Sequence, residues 1–416
     1  MQVETVVIGA GQAGLATSRS LLAAGRPHVV LERGLVAERW RSQRWDSLRL
    51  LTPNWLNRLP GAPALPEPDG FLDRRGVVEH LEAYAAGAPV HERTTVLGVR
   101  RTRRAHHVLT DTGEWDARNV VIATGDCDVP RIPALAAAAP SYLHQLHAAG
   151  YRRPAQLPEG GVLVVGAGPS GQQLAAELAR AGRDVVLAAG RHARMPRAYR
   201  GRDIFAWLHA TGQLDDHVDH VPDLAAARRA PSLPVSGADG GESLGLDGLA
   251  TLGVTVTGRL EAFAGGHAHF ADGLGSDVAD AERRLQRSLA LFDAYIALAR
   301  VDASAPDPPP PVAIGAPPRR LELRRRVSTV LWATGYGRSY PWLEEPVLDA
   351  AGELVHRQGM TGVPGLFAVG LRFQRTRRSH FLGGVGSDAA LIARSIAARA
   401  PRSLHTVQPT RTGGPS

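Results

Sequence analysis

Two hexapeptides in this chain share one pattern, Gly9-Ala-Gly11-Gln12-Ala13-Gly14 and Gly166-Ala-Gly168-Pro169-Ser170-Gly171. In each, the first glycine permits a tight turn, the second lets main chain approach a diphosphate, and the third lets a helix pack close to the strand before it. Amide groups left without partners in the first helical turn, together with the positive end of the helix dipole, hold a diphosphate without any basic side chain. One such hexapeptide is a weak signal. Two of them, each after an apolar run and before an Ala/Leu-rich stretch, predict two bound dinucleotides.

The elements that must position these glycines lie on either side. Before the first copy, residues 4–8 predict a strand; Leu15, Leu21 and Leu22 predict a helix that stops at Gly25, and Val29-Val30-Leu31 a second strand that delivers Glu32. A carboxylate there, about twenty residues past the glycines, accepts hydrogen bonds from a ribose 2'-hydroxyl and repels a 2'-phosphate, which suits the adenosine ribose of FAD. The second copy repeats the plan with strands at 162–165 and 184–187, helix positions Leu174 and Leu178, and a stop at Gly182. Its acidic residue is missing. Ala189 stands where Glu32 stands, and Gly190-Arg191-His192-Ala193-Arg194 follows. The planar fork of arginine suits a phosphate monoester, so Arg191 and Arg194 predict NADPH over NADH at this second site. A solvated arginine cluster is the alternative reading.

Composition narrows the classes of function. A chain of 416 residues, 44% hydrophobic, predicts two or three domains with ordinary cores. All 48 basic residues are arginine, which removes Schiff-base chemistry. A net charge of +8 is carried by dispersed arginines with only 5% aromatics and no nucleic-acid motif, so no nucleic-acid partner is expected. The single cysteine, Cys127, excludes an internal disulfide and a Cys-x-x-Cys pair, and reads as a packed thiol. His144 and His147 lack companions for a metal site, so no metal is expected. No apolar run approaches the roughly 20 residues of a membrane helix, and the first strand begins almost at Met1, so the expected location is cytoplasmic with no membrane partner. Ser170 is not in a G-x-S-x-G elbow, and no glycine-rich segment ends in Gly-Lys.

Between the fingerprints, residues 96–100, 107–110 and 120–123 predict strands, with a hairpin turn at 111–114. Pro130, Pro133, Pro140, Pro154 and Pro158 suit a crossing between lobes, and residues 303–318 predict an exposed polyproline-like loop. Residues after about Pro401 carry no apolar period and read as a frayed tail.

With these features in place the chain resembles the flavin-containing monooxygenase family of class B flavoproteins, as an outlying member. Besides the fingerprints, the resemblance rests on Val121-Ile122-Ala123-Thr124-Gly125, Val330-Leu331-Trp332-Ala333-Thr334-Gly335-Tyr336, Gly365 to Gly370, and Gly383 to Ala390. It implies an α/β fold of two Rossmann-like dinucleotide-binding domains. The NADPH domain (156–325) would be inserted into a discontinuous FAD domain (1–140 and 326–400), with a tail at 401–416. It also implies cofactor contacts from Gln12, Ala13, Arg33, Trp40, Thr52, Val96, Ala123, Thr124, Gly125, Pro169, Ser170, Ala333, Thr334, Gly335, Gly370 and Gly386. Leu371 stands where disulfide reductases carry Asp. Ser141 to His147 and Tyr151-Arg152-Arg153-Pro154 match the family's linker only in part. The segment Trp40 to Pro53 is similar to the family segment that wraps the flavin, with Leu51 where Asn or Asp is usual. Asn54 is the catalytic candidate to replace it, and Arg375 and Arg378 in the run 372–381 are candidates to attract substrate.

The expected function is oxygenation of a small organic molecule with NADPH and O2, at N, S or a carbonyl in the Baeyer-Villiger manner, through a C4a-(hydro)peroxyflavin. Two alternatives stay open: an NADPH-dependent reductase serving a quinone or a protein partner, and a non-catalytic FAD/NADP-binding sensor or scaffold. Substrate and oligomeric state are not legible.

Overall fold

A computed structural model describes residues 1–399 except 104; the expected tail at 401–416 lies outside the described residues. Two parallel sheets dominate. In the first, the parallel order is Leu366–Ala368, Gly113–Ile122, Gln2–Ile8, His28–Leu31 and Val90–His91. Two short antiparallel strands, Met360–Thr361 and His356–Arg357, extend one edge. Gly113–Ile122 also pairs antiparallel with His106–Thr110, which pairs with Val96–Arg101. The hairpin turn at 111–114 is therefore where the sequence predicts it. The strand around 120–123 is longer than predicted, because its polar first half pairs with the hairpin while its apolar second half enters the parallel sheet.

The second sheet is parallel throughout, in the order Thr255–Thr257, Val185–Ala188, Val162–Val165, Thr329–Trp332 and His144–His147. Two of these strands lie outside the span 156–325. His144–His147 comes from the proline-rich crossing, and Thr329–Trp332 lies inside the sheet, between Val162–Val165 and His144–His147. First-sheet strands resume only at His356–Arg357, beyond it. The sequence hides this because a short buried strand carries no mark of which sheet accepts it.

Strand alternation divides each sheet's side chains between two cores. Val7 packs among residues of the helices Gln12–Ala23 and Val385–Ala398, whereas Val6 and Ile8 face Val99, Trp115, Tyr340 and Leu343. Likewise Val162 and Val164 pack against Leu174 and Leu178 of the helix Pro169–Arg180, and Leu163 and Val165 face Phe263 and Trp332. Burial of each such side chain stabilises by about 1.5–3 kcal/mol, which fixes strand register and so the height at which each fingerprint emerges. A long helix, Leu274–Ala299, and the segment 195–245 form a further apolar cluster with Leu56 at its edge. Residues 303–318 carry no regular structure, in keeping with their prolines.

Candidate functional site

Each fingerprint is a strand end, a turn and a helix start, and the two are built alike. Gly9 and Gly166 have φ of +105° and +108°, where side chains are strained. A Cβ at Gly9 would press on the carbonyl of Ala123, and one at Gly166 on that of Ala333, so each fingerprint packs against its own Ala-Thr-Gly segment. A Cβ at Gly14 or Gly171 would overlap the carbonyl of Gly9 or Gly166. The middle glycines differ: Gly11 and Gly168 have no atom within 4 Å of that position. Protein packing thus demands the first and third glycines, while the second faces open space in which a ligand can come close. Both helices start at these middle glycines without a side-chain cap, leaving first-turn amides free for an anion.

Both cradles open into one cleft of about 1150 Å³. Gly9, Gly11, Gln12, Ala13, Glu32, Arg33, Trp40, Thr52, Val96, Ala123, Thr124, Gly125, Gly168, Pro169, Ser170, Ala333, Thr334, Gly335 and Gly370 all line it. Glu32 is buried, and its two oxygens accept from the amides of Ala10 (2.7 Å) and Gly34 (2.9 Å), which orients the carboxylate. Gly370, at φ +88°, lets the last parallel strand of the first sheet end against Ala13.

Other expected residues lie elsewhere. Gly14, Gly166 and Gly171 serve packing behind the cleft, and Gly386 packs on Pro60. Asn54 does not reach the cleft. It is buried with its amide spent on the carbonyls of Pro66 (3.0 Å) and Glu67 (3.1 Å), and its oxygen accepts from Leu72 N (3.1 Å). The amide that lines the cleft is Asn57, which exchanges hydrogen bonds with the hydroxyl and carbonyl of Thr52. Arg194 is turned inward, paired with Glu282 and bonded to the carbonyl of Pro310. It ties the helix Leu274–Ala299 to the second lobe. Arg191 is exposed, next to His192, whose carbonyl accepts from Arg284 (2.6 Å).

Arg375 and Arg378 are not in the cleft lining either. Arg378 pairs with Asp215 (2.7 Å) and Arg377 with Asp216 (2.8 Å), while Val218 N donates to Arg375 O (2.9 Å) and Arg372 bonds the carbonyl of Ala230. The arginine run is a clamp onto residues 214–230. Arg375 lies 3.8 Å from Asp388, a fully buried carboxyl that burial pushes up to about 6.

Sequence reasoning left several cleft residues unassigned. His380 lines the cleft with its Nδ1 sealed from water and unpartnered; burial, opposed by Asp126 and aided by Arg372, pulls its pKa down to about 4, so the ring is neutral at neutral pH. His147 bonds Gly335 O (3.0 Å) and meets the Tyr336 ring edge-on. Cys127 lines the cleft as a free thiol that burial pushes up. Asp126 and Asp128 are occupied by Arg338 and by Arg33 and Arg39. Asp126, Cys127 and Asp128 follow the Ala123-Thr124-Gly125 segment, His380 precedes Gly383-Gly384 by three positions and His147 ends the segment 141–147, so proximity to these motifs is the signal that points to them.

Two largely parallel sheets, each ending in a glycine fingerprint, thus open into one cleft. Residues 6–209 match the family model for pyridine nucleotide-disulphide oxidoreductase. An uncharacterized CzcO-like oxidoreductase of Geobacillus kaustophilus is 31% identical over 95% of this chain and 98% of its own. Among solved structures, the flavin-containing monooxygenase from Stenotrophomonas maltophilia aligns with a TM-score of 0.65 at 21% identity, covering 95% of this chain and 98% of that one. An ornithine N-hydroxylase from Kutzneria, described with reduced FAD and NADP+, aligns at 0.61 and 16% identity over 96% and 100%. The chain belongs to the family of the CzcO-like oxidoreductases and has the fold of the flavin-containing monooxygenases. No described helix is long and apolar enough to cross a membrane.

Proposed function

We propose that this protein is a monooxygenase that binds FAD at the first fingerprint and NADPH at the second, and places one oxygen atom of O2 in a small organic molecule. The observation that carries this reading is the pair of matched cradles, each with an open middle glycine and an uncapped helix start, in one cleft. The names of the flavin-containing monooxygenase and the ornithine N-hydroxylase support it, and a lone thiol argues against dithiol chemistry. Residues 1–140 and 326–400 form the FAD unit in this reading, with 156–325 inserted and the strands His144–His147 and Thr329–Trp332 as seams.

Bound FAD supplies the hydride acceptance and O2 activation: NADPH and a proton give two electrons, one oxygen enters the substrate, and the other leaves as water. The chain's own residues bind, orient and exclude. Glu32 holds the adenosine ribose of FAD, and Ala189 removes the carboxylate that would repel a 2'-phosphate on the second lobe, where the exposed Arg191 supplies positive charge. Leu51, Phe381 and Leu382 give the cleft an apolar wall that limits water. His380, a neutral imidazole, lines the same cleft.

Rapid mixing decides the reading. NADPH-reduced, FAD-loaded protein mixed with O2 is expected to pass through an absorbance band belonging to neither oxidised nor reduced flavin. Direct return to the oxidised spectrum would assign the protein to reductases serving a quinone or protein partner. Binding of NADPH without flavin reduction would leave a sensor or scaffold.

A further inference from the structure

Four arginines that line the cleft, Arg44, Arg49, Arg131 and Arg372, have no carboxylate within 4 Å among the described residues; Arg49 and Arg131 are exposed and Arg372 is tied to the carbonyl of Ala230, so Arg44 is the half-buried charge whose fork faces the cleft without a distant partner. The carboxylates lining the cleft are all engaged: Asp128 by Arg33 and Arg39, Asp126 by Arg338, Glu32 by the amides of Ala10 and Gly34, and Glu38 by the amide of Leu35. Arg44 also lines the cleft, and among the described residues no carboxylate lies within 4 Å of it. Its guanidinium stands over the rings of Trp40 (5.3 Å) and Tyr336 (5.6 Å). Nη1 donates to the neighbouring carbonyl of Gln43 (2.8 Å) and makes a long contact with the Tyr336 hydroxyl (3.4 Å). An arginine has five N–H donors, so most of this fork is unspent, and an unmatched charge in a partly desolvated cleft favours an anion.

Packing indicates which anion. The segment carrying Arg44 belongs in sequence to the first lobe but is seated on the second. Trp45 and Leu48 share a core with Ala167 of the second fingerprint and Leu174 of its helix, and Ser47 Oγ donates to Glu177 Oε2 of that helix (2.9 Å). Tyr336 follows the Ala-Thr-Gly segment on which Gly166 packs.

We propose that Arg44 grips the diphosphate of the nicotinamide nucleotide from the side facing the helix N-terminus, and so fastens the first lobe to the ligand of the second. This rests on the reading that NADPH occupies the second cradle. A planar fork can give two charge-assisted hydrogen bonds to phosphate oxygens, with Trp40 and Tyr336 holding its plane.

The test uses FAD-loaded protein and calorimetric binding of NADP+ and of 2'-AMP, which keeps the 2'-phosphate but has no diphosphate. In Arg44→Gln the dissociation constant for NADP+ is expected to rise about ten- to a hundredfold, the loss of charge-assisted hydrogen bonds, while 2'-AMP binding and FAD content stay as in wild type. Arg44→Lys, which keeps charge without the fork, is expected to fall between, and it serves as the test if Arg44→Gln does not fold. Unchanged NADP+ affinity would overturn the proposal. Loss of FAD with NADP+ affinity intact would give Arg44 to the flavin's diphosphate instead, and equal losses for both ligands would reduce it to a structural part. Wild-type protein that binds no NADP+ at all would overturn the second-cradle reading itself.

Discussion

Glu32 and Asn54, both buried polar side chains, take opposite roles according to what surrounds them. Glu32 is buried but faces a cleft, and the two amides that orient it leave lone pairs for a ribose. Glu32→Gln keeps the shape and removes the charge; FAD affinity, followed by flavin fluorescence, is expected to fall about tenfold or more, with folding retained. Asn54 faces only main chain. Asn54→Ala breaks three hydrogen bonds in a buried turn, so thermal unfolding is expected to show a loss of about 2–3 kcal/mol, while the spectrum of bound flavin in the folded fraction stays unchanged. A changed flavin spectrum would return Asn54 to the site. The sequence could rank neither side chain by exposure, because that depends on residues 66–72 folding back over Asn54.

At the scale of elements, the strand-turn-helix units were legible because their spacing is imposed by diphosphate chemistry. The same geometry separates two substitutions. Gly11→Val adds a side chain where nothing stands within 4 Å, so the protein is expected to fold but to purify without FAD. Gly14→Val drives a side chain into the carbonyl of Gly9, and soluble protein is expected to be lost. A Gly11→Val protein that remains yellow would remove the first cradle from the flavin. The helix Val385–Ala398 carries a different consequence. Asp388 has its folded pKa raised from 3.8 to about 6 by burial, with Ser379 and Arg375 opposing. A raised carboxyl contributes fully below pH 4, where both states are protonated, and stability is lost as pH rises through 6, since the unfolded chain has already released its proton. The shift corresponds to about 3 kcal/mol. Urea unfolding between pH 4 and 8 is expected to show a fall in wild type that Asp388→Asn lacks; parallel curves would contradict the assignment.

The whole molecule depends on late segments that complete early ones. Thr329–Trp332 is an internal strand of the second sheet, Ala333 supports Gly166, and Gly370 seats on Ala13. Ending the chain at residue 327 is therefore expected to abolish binding of FAD and NADP+ together, measured by calorimetry on whatever protein remains soluble. Retained NADP+ binding would mean that the second lobe stands without this internal strand. The arginine run 372–378 belongs to this scale too. Its charge suggested a substrate site, yet the side chains of Arg372, Arg377 and Arg378 and the carbonyl of Arg375 are spent on residues 214–230, and the Arg375 side chain faces Asp388, pairings that no local pattern encodes.

By itself the sequence determined the two cradles, the strands and helices that present them, and the contrast between Glu32 and Ala189, since each follows from local spacing and side-chain chemistry. Only the tertiary structure decided that Asn57 rather than Asn54 reaches the cleft, that Arg194 turns inward, that Thr329–Trp332 joins the second sheet, and that Arg44 is left without a carboxylate. The physical reason is that a glycine turn carries its constraint within a few residues. Burial and charge balance are set by partners from a few to more than a hundred positions away, and become defined only when the chain has packed.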